Sequence, residues 1–217
     1  MRFKKGWLFG GSGWHCGWLL LAASVSSYGQ VSVVRAGSFE VGPFIGASFG
    51  GGSSAFSVMG GGNVTYAINK YILPYVEYTY LPFASTTVQG VFSGTQNPYT
   101  ASYSLAFQDI HGGVHIRFPV REKPVVPYLV FGLGALRRSD TTLTVSSAAG
   151  SSGTLTVPSS SNFAFNVGGG LRYYINQRFG IRTEAKVYRL SGNEVLGPTV
   201  LGNTFGKVEF GFFFQLH

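Results

Sequence analysis

Charged residues are scarce in this chain of 217 residues. They make up 11% of the sequence, less than half of the roughly 25% that is usual in soluble globular domains. A compact soluble enzyme needs a charged, well-solvated surface, so the composition disfavours that class of protein. Intrinsic disorder is also disfavoured, because aromatic residues make up 16% of the chain and disordered chains contain few of them.

Long apolar runs and cysteines are scarce as well. No run of 18 apolar residues occurs, which excludes a transmembrane helix. The single cysteine, Cys16, lies in the N-terminal segment described next, so we expect no disulfide. The formal net charge is +8, but the basic residues form no cluster after residue 5. Nucleic-acid-binding proteins usually concentrate positive charge in one patch, so we expect no nucleic-acid partner.

Residues 1–29 have the pattern of a secretory signal peptide. The segment begins with basic residues, continues with the short apolar stretch 18–23 and ends in small residues, with cleavage predicted near Gly29. The alternative is a buried N-terminal helix. We expect residues 30–37 to form a short lead and residues 38–217 to form the folded domain.

The remaining sequence alternates apolar and polar residues with a period of two, which indicates β-strands. Each predicted strand has one apolar face and one polar face. Eight strands are predicted: Phe39–Phe49, Ser57–Ile68, Leu73–Leu81, Ser104–Phe118, Val126–Arg137, Asn162–Ile175, Phe179–Leu190 and Asn203–Leu216.

The connections between these strands mostly alternate in length. Tight turns are predicted at Asn69–Lys70, Lys123–Pro124 and Asn176–Arg178, and the other connections are mostly longer and rich in Ser, Thr and Gly. In lipid every backbone polar group needs a partner, so a sheet with one apolar face must close on itself. The pattern therefore predicts an all-β fold, an eight-stranded antiparallel up-and-down transmembrane β-barrel. A soluble barrel or sandwich is the alternative, although its outer face would carry more charge.

The polar faces carry most of the charge. An eight-stranded barrel is just wide enough for side chains to fill its interior, and isolated charges there would be costly. We therefore predict a closed lumen with paired charges, contributed by Glu40, Glu77, Asp109, Arg117, Arg172, Arg182, Glu184, Lys186, Lys207 and Glu209. Inward glycines such as Gly132 and Gly170 would leave space for these long side chains.

The sequence offers no clear catalytic, metal or cofactor site. His111 and His115 lie on one predicted strand about 13 Å apart, which is too far to share a metal ion, so we interpret them as lumen histidines. Gly132 and Gly134 lack the third glycine and the helix of a dinucleotide fingerprint. Arg137 and Arg138 begin a long loop, where they are candidates for contact with lipopolysaccharide phosphates, or are simply solvated.

Three segments of the chain resemble outer-membrane barrels of the OmpA-like and OmpX-like family: Val125–Gly134, Asn166–Tyr174 and Lys207–Phe214. The resemblance implies a bacterial outer-membrane protein, porin-like in architecture, that contacts outer-membrane lipid and lipopolysaccharide. It also implies delivery by periplasmic chaperones and the barrel-assembly machinery, which reads a terminal aromatic residue in typical members. Here three residues follow Phe214.

We expect a monomeric, non-enzymatic barrel, with a structural or surface-interaction role through its extracellular loops. One alternative is a narrow channel for small solutes. The other is a barrel enzyme that modifies lipid A, as some eight-stranded outer-membrane barrels do.

Overall fold

The computed structural model describes residues 35–50, 56–82, 86–91, 97–120, 123–147, 150–191 and 203–216. The predicted signal peptide lies outside these residues and stays a prediction. Within the described ranges, no helix has the length and apolar character needed to cross a membrane.

Twelve β-strands make up the described fold. In chain order they are β1 (Phe39–Phe49), β2 (Phe56–Tyr66), β3 (Ile72–Pro82), β4 (Thr86–Val91), β5 (Pro98–Tyr103), β6 (Ala106–Arg117), β7 (Val125–Arg138), β8 (Thr141–Ser147), β9 (Ser152–Val157), β10 (Ser160–Tyr174), β11 (Phe179–Ser191) and β12 (Thr204–Leu216).

Eight of these strands form a closed antiparallel barrel in the order β1-β12-β11-β10-β7-β6-β3-β2. The barrel closes where β1 pairs with β12, with Phe39 opposite Leu216 and Phe49 opposite Gly206. The predicted all-β barrel fold is confirmed, and each predicted strand agrees with a barrel strand to within two residues at either end. Because the strand number is even, β1 begins and β12 ends on the side of the short turns.

Two of the short turns are stabilised in the same way. Asn69 Oδ1 accepts hydrogen bonds from the backbone N–H groups of Tyr71 (2.7 Å) and Ile72 (2.8 Å). Asn176 Oδ1 accepts them from Arg178 and Phe179, both at 2.8 Å. An asparagine side chain can thus satisfy the orphan donors of a tight turn, which explains its place between strands at these two positions.

The prediction for two of the long connections was wrong. The Ser, Thr and Gly content of residues 82–103 and 138–161 predicts loops. These residues instead contain β4, β5, β8 and β9, which form a second sheet in the order β4-β5-β8-β9. We call these four strands the extension sheet.

The extension sheet continues the barrel wall beyond the loop end, which is the end of the barrel opposite the short turns. In the barrel Arg138 lies opposite Ser160. Three residues further along both strands, Thr141 lies opposite Val157 in the extension sheet, so the register is unchanged. On the neighbouring strands, the β3–β6 pair of the barrel continues as the β4–β5 pair of the extension sheet, and the register between the two strands shifts by one residue. Four adjacent barrel strands therefore rise past the membrane band as a single wall.

The barrel's outer face is apolar. Ile45 (67% exposed), Val76 (61%) and Leu133 (60%) are typical of its side chains. Among the described residues of the eight barrel strands, the outward-facing charges are Arg137 and Arg189, both at the loop end. Such a surface would be unfavourable in water and is the one that a lipid bilayer requires.

Candidate functional site

The barrel lumen contains a layered network of ion pairs. At its middle level, the Lys186 ammonium lies 2.5 Å from Glu77, 2.7 Å from Glu184 and 3.0 Å from Glu209. Arg182 approaches the same three carboxylates at 3.6–3.8 Å. Removed from water, three carboxylates would repel one another strongly, and the two cations between them offset this repulsion.

The three carboxylates of this level have the spacing of a metal site. One oxygen from each lies within 4.8 Å of the others. Lys186 Nζ already sits within hydrogen-bond distance of all three groups. It thus takes the position that a cation would need, so the arrangement fits an internal ion cluster better than a metal centre.

A second level lies towards the short turns and is centred on Glu40. Its carboxylate accepts hydrogen bonds from Arg117 (3.1 Å) and Tyr174 (3.2 Å) and pairs with Arg172 Nε at 3.4 Å. Arg172 also donates to His115 Nδ1 at 2.9 Å. Arg172 and His115 therefore join this level to the middle one, since His115 Nε2 lies 3.7 Å from Glu184.

The third level lies towards the loop end and is centred on Asp109. Its carboxylate contacts both the Lys207 ammonium and the His111 ring. The Lys207 ammonium lies 4.3 Å from the centre of the Tyr188 ring, within range of a cation–π contact. Asp109 thus joins a lysine to one of the two lumen histidines.

Above Asp109 the lumen is closed by apolar side chains. This apolar plug draws on seven of the eight barrel strands and on one residue just before β6: Met59, Leu81, Leu105, Phe107, Leu136, Ala164, Tyr188, Leu190 and Phe205. Alternation alone predicts inward faces that are polar throughout, so this plug was not predicted. The signal was present in the inward positions nearest the loops, which are apolar on most strands.

Aromatic side chains fill much of the remaining space. Tyr75 stacks on the His115 ring with 4.3 Å between centroids, and Tyr128 donates to Glu184 at 2.6 Å. A Cβ atom at Gly170 would lie 2.6 Å from the Tyr128 hydroxyl, and one at Gly132 would collide with the Tyr75 hydroxyl. Glycine at these two positions therefore admits the large side chains opposite.

The structure brings all ten predicted lumen charges together in this network. Each is at most 2% exposed, as are His111 and His115. The two arginines proposed for lipopolysaccharide contact are separated. Arg137 is exposed, on the outer face. Arg138 is buried and donates to the Pro158 carbonyl at 2.7 Å, so the prediction for this residue does not fit the structure.

The extension sheet is the second candidate site. Its four strands contain no Asp, Glu, Lys or Arg and are rich in threonine. β4 and β9 are its edges. In β9 the side chains from Ser152 to Thr156 are exposed on both faces, and Leu155 is 60% exposed.

Comparison with known proteins gives a consistent result. Residues 18–211 match the sequence profile of the family described as outer membrane protein beta-barrel domain. No curated protein sequence matches the chain significantly.

Three solved structures share the fold at low sequence identity. Neisserial surface protein A is 15% identical, with a TM-score of 0.54, covering 82% of this chain and 97% of its own. Ail, the attachment invasion locus protein of Yersinia pestis, is 13% identical, with a TM-score of 0.50 and coverages of 84% and 100%. A major outer membrane protein from Thermus thermophilus is 10% identical, with a TM-score of 0.51 and coverages of 82% and 99%.

Proposed function

Because this chain belongs to the family of outer membrane protein beta-barrel domains, we propose that it is a surface-contact protein of the bacterial outer membrane. In this proposal the extension sheet is the surface that contacts the partner. The observation that carries this proposal is the continuation of four barrel strands beyond the membrane band as an uncharged wall with exposed edges. The sheet exceeds what barrel closure requires, because neighbouring antiparallel strands can be joined by a two-residue turn.

The packing of the lumen supports contact rather than transport. Three levels of ion pairs and the apolar plug lie one above another along the barrel axis. Opening a path for solutes would require several buried pairs to separate at once, and each separation leaves an uncompensated charge. The alternative is a narrow channel, which steady ionic conductance of the reconstituted protein would favour.

The location of the two histidines supports a non-enzymatic role. A lipid A-modifying enzyme needs its catalytic groups within reach of the lipid on the outer face. His111 is held by Asp109, and His115 lies between Arg172 and the Tyr75 ring, all inside the lumen. We expect the lipid A of cells that express the protein to have an unchanged mass. A modification that disappears with His111→Ala or His115→Ala would favour the enzyme.

The proposed role requires export of the chain to the outer membrane. The chain would be exported with cleavage near Gly29 and delivered by periplasmic chaperones to the barrel-assembly machinery. The mature protein would contact lipopolysaccharide, with the exposed Arg137 at the loop end as a candidate for its phosphates. Intact-mass measurement of protein extracted from the outer membrane should show a chain beginning near Gln30. A chain that retains residue 1 would contradict this.

The contact role is tested by removing the extension sheet. In a shortened variant, short turns replace residues 83–104 and 139–159, which leaves the eight barrel strands in place. Bacteria that display the full chain should adhere to cultured epithelial cells and to one another, and bacteria that display this variant should not. The Ail protein of Yersinia pestis, which shares the fold, is named for attachment. Unchanged adherence, with the shortened barrel correctly folded, would overturn the proposal.

A further inference from the structure

The β8–β9 hairpin of the extension sheet pairs like residues with like. Thr142 lies opposite Thr156, Leu143 opposite Leu155, and Thr144 opposite Thr154. The Thr-Leu-Thr segment of β9 is therefore already seated antiparallel on a Thr-Leu-Thr segment. A second copy of β9 would therefore offer β9 the same Thr-Leu-Thr segment that β8 already offers it.

Among the described strands, the backbone of β9 has one unpaired edge that such a strand could join. At the hairpin end the Ser147 N–H donates to the Ser151 carbonyl at 2.8 Å, and the Gly150 N–H donates to the Ser147 carbonyl at 3.0 Å. Gly150 has a φ of 85°, which suits the last position of a short hairpin loop. This closure sets which residues of β9 direct their hydrogen-bonding groups towards β8.

Hydrogen-bonded pairs alternate along an antiparallel ladder. Counting from the Ser147–Ser151 pair, the bonded pairs include Leu143 with Leu155. The N–H and C=O groups of Thr154 and Thr156 therefore point away from β8. In the part of the chain that the structure describes, β8 is the strand that pairs with β9, and the opposite side of β9 is unpaired.

This edge also lacks the usual protection. Natural edge strands carry lysines, prolines or inward-pointing charges that prevent pairing with another chain. The sequence from Ser152 to Val157 has none of these, and Leu155 is largely exposed. An uncharged threonine strand gives a charged partner no complementary group, whereas it matches an identical uncharged strand.

We propose that the partner of the extension sheet is a second copy of this chain, paired β9 to β9 in an antiparallel ladder centred on Leu155. This inference rests on the proposed contact role and names the partner. In this register Thr154 of one copy lies opposite Thr156 of the other and exchanges backbone hydrogen bonds with it. The two Leu155 side chains form a non-hydrogen-bonded pair at the two-fold axis, where side chains approach most closely.

The geometry places the second copy in a facing membrane. The two-fold axis of an antiparallel strand pair is perpendicular to the sheet. The extension sheet continues the barrel wall, which rises from the membrane, so this axis runs roughly parallel to the membrane. Rotation about it inverts the second barrel. The interaction therefore joins two cells rather than two proteins in one membrane.

Charge-swapped variants test the register. In vesicles that contain the full chain, Thr154→Lys/Thr156→Lys places like charges opposite one another in the pair, and Thr154→Glu/Thr156→Glu does the same. Each variant alone should cluster vesicles about tenfold less than the original chain, because directly opposed like charges destabilise a strand pair. A mixture of the two vesicle populations should cluster again, since each lysine then faces a glutamate.

The opposite edge of the sheet provides the matched control. Thr87→Lys/Gln89→Lys adds the same charge to β4, on the far edge of the extension sheet, and should leave clustering unchanged. Equal loss of clustering in this control and in the β9 variant would mean that general repulsion causes the loss, and would overturn the proposal. So would a failure of the mixed populations to recover.

A single cysteine tests the two-fold axis and the facing arrangement. Opposed Cα atoms of a non-hydrogen-bonded pair are about 4.5 Å apart, within the range for a disulfide. In the mature chain, from which Cys16 has been removed, Leu155→Cys should therefore give a disulfide-linked dimer, and Thr87→Cys should give none. When vesicles with two differently tagged chains are mixed, the dimers should contain both tags. Dimers formed only within one population would overturn the facing arrangement.

The results also separate this inference from the proposed contact role. Wild-type vesicles that fail to cluster, while bacteria still lose adherence to epithelial cells when the extension sheet is removed, would overturn pairing between copies and leave the contact role standing. Loss of neither clustering nor adherence on removal of the extension sheet would overturn both.

Discussion

At the scale of single residues, the lumen shows why charge type and alternation identify buried groups without identifying their partners. Alternation along a strand predicts which side chains point inward, and all ten predicted charges do so. Arg182 contacts carboxylates from three different strands. Which acid meets which base depends on the stagger of the strands around the barrel, and no local pattern in the sequence encodes that.

Removal of the Lys186 ammonium should be severe. After Lys186→Met, Arg182 is the one described lysine or arginine that still contacts the three buried carboxylates. Breaking a buried ion pair in this way costs about 3–5 kcal/mol of stability. Urea-induced unfolding in lipid vesicles, followed by heat-modifiable migration on gels, measures the loss. Lys123→Met, at an exposed site between β6 and β7, serves as the control and should change stability little. Equal stabilities for the two variants would contradict the ion cluster.

The outer face should respond to charge according to depth. Phe210 lies at the centre of β12 and points outward, so Phe210→Arg should lower the free energy of unfolding by about 2–4 kcal/mol. Ser161→Arg, near the loop end of β10, should cost no more than about 1 kcal/mol, because it lies near the membrane interface. The same unfolding measurement compares the two. A negligible effect at Phe210 would mean that the face does not meet lipid.

At the scale of elements, the barrel strands were predictable and the extension strands were not. A barrel strand separates lipid from lumen, so its two faces must differ, and the difference appears as a period of two in the sequence. β9 is exposed on both faces, so nothing selects for alternation there. Threonine and valine favour strands, yet the Ser and Gly among them suggested loops.

The hairpin of the extension sheet should unfold separately from the barrel. Gly150 adopts a left-handed backbone conformation, so Gly150→Val should strain the turn. We expect faster amide hydrogen exchange in β8 and β9 and unchanged exchange in β7 and β10, because the barrel ladders do not depend on the turn. Ser146→Val, within β8 near the same turn, is the control and should leave exchange slow. Faster exchange throughout the barrel would contradict this independence.

At the scale of the whole molecule, the stacked ion layers and the apolar plug predict a barrel that does not conduct. Reconstituted into planar bilayers, the full chain should pass no steady ionic current. The variant without residues 83–104 and 139–159 should behave in the same way, since the three ion-pair levels lie within the barrel. Steady conductance that persists in both proteins and changes with Lys186→Met would favour the narrow channel.

The amino-acid sequence by itself determined the class of the fold, the eight barrel strands and the residues that face the lumen. These features follow from a local rule, because neighbouring side chains on a strand point to opposite sides and meet different solvents. Only the tertiary structure decided the ion-pair partners, the burial of Arg138 and the sheet above the membrane. Each of these depends on how strands pair with one another, where the energy comes from contacts between strands rather than from any single segment.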